Sequence, residues 1–331
     1  MIKIKKMLSL ISLPLISGVA ISCANYTSSN KLEVYIDNST QINPKVENLQ
    51  QVNHKKIIET LLNNVYKPES QRERSLYVYN QEQDTSSIIQ KFKEITTSYK
   101  QEFRSDELND SLAEKSRLQD LLVYFSGDER TEAENKITEL TAKINEINEH
   151  NTPAKKEKFA NSFSDFISEN WYFILNNLDK FDFTFVSWLL DPIGNGYTLS
   201  DEYQQSLKTK SEYKNYNVPN TYIDDIKLGD ESGEMADARV YYLKKNKLVF
   251  RITINNILQP VSNLKLEPLN WYFGDLKNNK ISLNLISNIV HSRFIHGYET
   301  GLVQFEKSMV KDLSYGEPAN VFFLWKGTNE N

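Results

Sequence analysis

Asn170-Trp-Tyr-Phe-Ile-Leu-Asn-Asn-Leu-Asp-Lys-Phe-Asp-Phe-Thr-Phe-Val-Ser-Trp188 is the stretch in which the periodicity of the chain changes. Before it, apolar residues recur every three or four positions. Ile57, Ile58, Leu61, Leu62 and Val65 form one such stripe, and Ile88, Ile89, Phe92, Ile95 and Tyr99 form a second. Ser111-x-x-Glu114 reads as a capping box opening a third helix, through Leu118, Leu121, Leu122 and Phe125, stopped at Gly127. Thr131-x-x-Glu134 opens a fourth, in which Ile137, Leu140, Ile144 and Ile147 make a seam that pairs antiparallel with the third. A fifth begins at Thr152-Pro153, since proline is tolerated in the first turn. From Phe181 the period becomes two: Phe181, Phe183 and Phe185 alternate with Asp182, Thr184 and Val186, as in a half-buried strand. Residues 239–243 and 248–254 read as a hairpin with Leu248, Phe250, Ile252 and Ile254 toward the core, and further strands are expected at Ile281 to Leu285 and Val321 to Trp325. The expectation is an α+β fold: about five helices in a region 45–180, and a β-rich region 181–331 packed on it. Strands and helices do not alternate regularly, which argues against a two-lobed solute-binding architecture.

The 331 residues contain 39% hydrophobic, 25% charged and 11% aromatic residues, enough apolar material for one large or two ordinary domains. Net charge is −5, so no overall basic field gathers phosphates, and nucleic acid is not an expected partner. A mean hydropathy of −0.54 excludes a multispanning membrane protein.

The first 23 residues carry an address. Lys3, Lys5 and Lys6 precede an apolar stretch from Met7 to Ile21 that is short for a bilayer span and contains Pro14. Ala20-Ile21-Ser22-Cys23 follows, ending in the one cysteine of the chain, and it resembles a bacterial lipobox. That resemblance implies a signal peptide over 1–22, recognition by a signal peptidase at Ala20, Ile21 and Ser22, and a diacylglyceryl group on Cys23 holding the protein to the membrane. Two acyl chains satisfy the condition for stable anchoring. The lone cysteine is then unavailable for a disulfide or a thiolate metal site. Removal of residues 1–22 takes away three lysines and no acid, leaving 36 basic against 44 acidic residues and a net −8. Residues 23–44, rich in Asn, Ser, Thr and Gln with one apolar patch at Leu32 to Ile36, read as a flexible tether. About 20 such residues reach on the order of 25 Å. Lysine outnumbers arginine 31 to 8 and asparagine occurs 34 times, a bias that, with the loose lipobox, resembles the surface lipoproteins of mycoplasmas.

Residues 159–188 hold ten of the 38 aromatic residues of the chain, three times the average density. Asn170-Trp-Tyr-Phe173 recurs as Asn270-Trp-Tyr-Phe273 with different flanks. Such a concentration serves either as the core joining the helical part to the sheet, or as a groove for a peptide, glycan or lipid lined by Trp171, Tyr172, Phe173 and Trp188. The Asn-Trp-Tyr-Phe…Asp-Lys-Phe-Asp-Phe-x-Phe run together with the lipobox resembles the mycoplasma aromatic cluster, or aromatic motif, surface proteins. That family brings no established activity.

The sequence contains no Gly-x-Ser-x-Gly elbow, phosphate-binding glycine loop or His-Glu-x-x-His helix. His291 and His296 are five apart, which shares a face in neither a strand nor an α-helix, so no metal set is expected from them. Asp224, Asp225, Asp230, Glu231 and Glu234, around Gly229 and Gly233, lack EF-hand spacing and read as a solvated loop. No catalytic residue, metal or cofactor is assigned. The expected function is a lipid-anchored, non-enzymatic protein on the extracellular face of the cell membrane, contacting a host or neighbouring surface protein. The alternatives are a surface hydrolase built on carboxylates, a glycosidase for instance, and a transport-accessory lipoprotein.

Overall fold

The computed structural model describes residues 44–185 and 216–326 apart from 269, 275, 277–279, 298–304 and 316–318. Cys23, the tripeptide Ala20 to Ser22, the tether up to residue 43 and Trp188 lie outside the described residues, while Pro44, expected to end the tether, opens the first helix. The architecture is α+β, with eight α-helices, seven of them in the N-terminal part, and a seven-stranded antiparallel sheet among those residues.

The helices are α1 (Pro44–Val65), α2 (Gln71–Gln83), α3 (Thr85–Glu102), α4 (Ser105–Leu121), α5 (Gly127–His150), α6 (Pro153–Glu169), the single turn α7 (Trp171–Leu175) and α8 (Leu283–Val290). The stripes of α1 and α3 are buried as their period requires, Leu61 and Phe92 completely. Thr152 caps α6, its side chain accepting the N–H of Lys155, with Pro153 in the first turn.

Both capping boxes are corrected. Helix α4 starts at Ser105, after Arg104 in the left-handed region (φ 50), and Asp106 and Glu107 already place acids in its first turn. Ser111 therefore lies a turn and a half inside. The helix stops at Leu121, ahead of Gly127, and Gly127 itself begins α5 at φ 55. Thr131 donates its hydroxyl back to the Gly127 carbonyl at 3.3 Å instead of capping. Helix α2 has almost no apolar stripe to announce it in the sequence; it meets the core through Tyr77 and Val78, with Tyr77 stacked on Trp171 at 5.8 Å between ring centroids.

The strands are β1 (Phe181–Phe185), β2 (Asp225–Leu228), β3 (Ala238–Lys245), β4 (Leu248–Asn255), β5 (Asn263–Leu266), β6 (Asn270–Tyr272) and β7 (Ala319–Trp325), ordered β1-β7-β6-β4-β3-β2, with β5 sharing the β6 edge of β4. The β3–β4 hairpin closes at Lys245↔Leu248 over Asn246, which takes the positive φ (50) the tight turn needs. Leu248, Phe250, Ile252 and Ile254 are fully buried on the face carrying the helices. The opposite face, with Val240, Tyr242, Val249 and Trp271, is covered by Leu283, Ile286, Ile289 and Val290 of α8. Two covered faces explain why Val240 to Leu243 is a continuous buried run and not an alternating one.

The strand expected at Ile281 to Leu285 is instead the entry to α8. Ile281, Leu283 and Leu285 mimic alternation, but Ser282 accepts the Leu285 N–H at 3.3 Å as an N-cap, and the stripe continues at helical spacing. One core unites both parts of the chain, since Ile57, Phe92, Phe163, Trp171, Phe183, Phe250 and Phe323 belong to the same buried cluster.

Candidate functional site

The aromatic cluster is built around Phe92. Its ring, fully buried, lies 4.7 Å from Phe166, 4.9 Å from Phe181 and 6.3 Å from both Phe323 and Trp325, centroid to centroid. Most close pairs are edge-to-face, the arrangement the ring quadrupole favours. Trp171 is 2% and Phe173 4% exposed, so neither presents a surface to a ligand. Tyr172 is partly buried, its hydroxyl 3.4 Å from Glu82 Oε1. For Trp171 and Phe173 the groove expectation gives way to packing: α7 is one turn, and a turn inserted between two helical layers and a sheet has a neighbour on nearly every side. Asn170, also buried, accepts the Gln81 amide at 3.1 Å and donates to the Phe166 carbonyl at 2.8 Å, which fixes the break between α6 and α7.

His54 pins the seam between the two parts of the chain. It is 4% exposed; Nδ1 accepts the Ile223 N–H at 3.2 Å and Nε2 faces Asn176 Oδ1 at 3.1 Å, an arrangement that selects the neutral ring with its proton on Nε2. Burial holds its pKa below the ordinary 6.5, the Asn176 bond pulls it partly back, and Lys245 lowers it further. The unfolded chain thus binds this proton more readily than the folded one, so the contribution of His54 is complete above pH 6.5 and is lost as pH falls below it. Melting temperature should fall between about pH 7.5 and about pH 5.5, and His54→Gln should flatten that decline. An unchanged slope in the variant would place the acid lability elsewhere.

The acidic loop is not simply solvated. The 3-10 turn Asp230–Gly233 sends Glu231 inward, 1% exposed, where Oε1 accepts the Tyr242 hydroxyl at 2.5 Å and stands 3.9 Å from Arg251, itself 3.5 Å from Glu267. Burial, then the Glu231 charge, keeps the Tyr242 phenol protonated and therefore a donor. Gly229 makes room for this: a Cβ there would stand 2.6 Å from Glu231 Oε2 and 3.1 Å from Tyr242, while its φ of −63 suits any residue.

Glu234 follows this turn and points to the surface, toward His291 and His296. The five residues His291–Ile295 continue α8 as a π-helix, whose i→i+5 bonding stacks residue 296 over residue 291. Their Nε2 atoms are 2.8 Å apart, and one ligand atom from each of the two rings and the Glu234 carboxylate all lie within 4.8 Å of one another. This corrects the expectation that a spacing of five separates the two imidazoles. No sequence pattern announced the π-turn, and Glu234 is 57 positions upstream.

An antiparallel seven-stranded sheet with helices on both faces, sealed by an aromatic core, defines an α+β protein. The family model for aromatic cluster surface proteins matches residues 34–316, and the chain belongs to that family, a family of surface proteins. No curated protein and no solved structure matches the chain. None of the described helices is long and apolar enough to cross a membrane.

Proposed function

We propose that the protein is a non-enzymatic binding protein, anchored through a lipid on Cys23 to the outer face of the cell membrane, that contacts a host protein through the tip of its α4–α5 hairpin. The observation that carries this reading is the tip itself. Val123 and Tyr124, between the two helices, are 78% and 79% exposed, whereas most large apolar side chains among the described residues are buried. The hairpin packs chiefly on itself, through Leu108, Ile144 and Ile147 near its base and Leu118, Ala133 and Leu140 further out, both separate from the main core. At 24 residues α5 is about 36 Å long, a suitable arm for presenting a contact. Residues 105–150 hold twelve acids against five bases, which repels anionic lipid and favours a protein with an apolar pocket rimmed by basic residues. The lipobox-like Ala20 to Cys23 supports the anchor.

The test has two arms. Radiolabelled palmitate should enter the chain and be lost in Cys23→Ser; label retained in that variant would remove the anchor. Retention on host cells should fall at least about tenfold in V123S/Y124S, the scale of a lost apolar hot spot, with melting temperature unchanged. Undiminished retention would remove the tip. Turnover of a glycan, nucleic acid or peptide, abolished by one carboxylate substitution, would replace the binding reading with a hydrolase.

A further inference from the structure

We propose that Glu234, His291 and His296 form a binding site for one divalent transition-metal ion of the zinc type. Two neutral imidazoles whose Nε2 atoms face each other at 2.8 Å can share only one proton. A cation placed between them takes both lone pairs, and the nearby Glu234 carboxylate supplies a third donor and neutralises half of its charge. Zinc–nitrogen bonds of about 2.0–2.1 Å in a tetrahedral arrangement hold two nitrogens about 3.3 Å apart, so the rings need separate by only about half an ångström. Two nitrogens and one carboxylate suit zinc, copper or nickel; calcium and magnesium prefer all-oxygen shells.

The ligands sit on supported backbone. The Asp230 N–H donates to Ser287 Oγ at 2.6 Å, tying the turn that precedes Glu234 to α8, and His291 continues α8 without a break. His291 is half-buried while Glu234 and His296 are exposed, so an ion reaches the site from solvent, and the three side chains leave a fourth position for water. A bound ion would clamp the 3-10 turn to the π-helix. The inference is independent of the lipid anchor and of the hairpin tip.

The full chain, purified in mild detergent and stripped with a chelator, is titrated with ZnCl2 and separately with CaCl2. One equivalent of zinc should bind, with an upward shift in melting temperature and no response to calcium. His291→Ala and His296→Gln should abolish binding, Glu234→Gln should weaken it at least about tenfold, and His150→Ala should leave it unchanged. Cobalt(II) should give visible absorption bands that the same variants remove. Should His291→Ala disturb folding, the two exposed positions carry the test. No zinc binding, or binding that survives in His296→Gln and Glu234→Gln, would leave a hydrogen-bonded histidine pair only and overturn the site.

Discussion

Trp171→Ala should lower the stability of the folded chain by about 3–5 kcal/mol, the cost of emptying a buried tryptophan site that cannot collapse. Trp171 is 2% exposed and stacks on Tyr77 of α2, while its neighbour Phe173 reaches Phe92 of α3 at 6.5 Å. The single turn α7 therefore links the helical layers to one another and to the core shared with β1 and β7. Truncation there should reduce the cooperativity of unfolding as well as the midpoint, because the loss falls on the joint between the two parts of the chain. Denaturant unfolding checks it: an unaltered midpoint would mean that the indole is not part of the core.

The second large effect is expected at Glu231. Replacing it with alanine leaves the buried Tyr242 hydroxyl without its carboxylate acceptor and Arg251 with Glu267 as its one neighbouring carboxylate among the described residues, at a cost of about 3 kcal/mol. Gly229→Ala should cost about 1–3 kcal/mol by forcing a Cβ against the Glu231 carboxylate. The two substitutions should not add, since removing the carboxylate removes the atom that the new methyl group meets. Strictly additive losses in the double variant would show that Gly229 is needed for some other reason.

The order of helices and strands was legible where apolar residues alternate with polar ones. Ile57 to Val65 exposes Glu59 and Thr60 on its other side, Phe181 and Phe183 alternate with Asp182 and Thr184, and Phe250, Ile252 and Ile254 alternate with Arg251 and Thr253. Ile281 to Leu285 misled because three residues cannot distinguish a period of two from the start of a helix, and the Ser282 cap was the deciding signal. Ser111 and Thr131 satisfied the capping-box spacing inside helices whose true starts, Ser105 and Gly127, carry acids in their own first turns. Resemblance to the aromatic cluster surface proteins was legible in the Asn170 to Trp188 run together with the lipobox, and the family match extends it to residues 34–316. The Glu234, His291 and His296 group was not legible. It depends on a π-turn, a local widening of the helix that changes which residues share a face, and on a distant turn folded back against α8. The inward turn of Glu231 was equally hidden, because its partners Tyr242 and Arg251 are supplied by neighbouring strands.

Trp171 and Phe173 belong to the packing that joins helices to sheet. Fluorine NMR on the full chain labelled with 5-fluorotryptophan tests it most directly, since the sequence has four tryptophans and Trp171→Phe identifies one resonance by its loss. That resonance should show no solvent isotope shift between H2O and D2O and should resist broadening by a soluble gadolinium chelate. A Trp171 signal that shifts with the solvent and broadens with the chelate would put the indole at the surface and contradict the account.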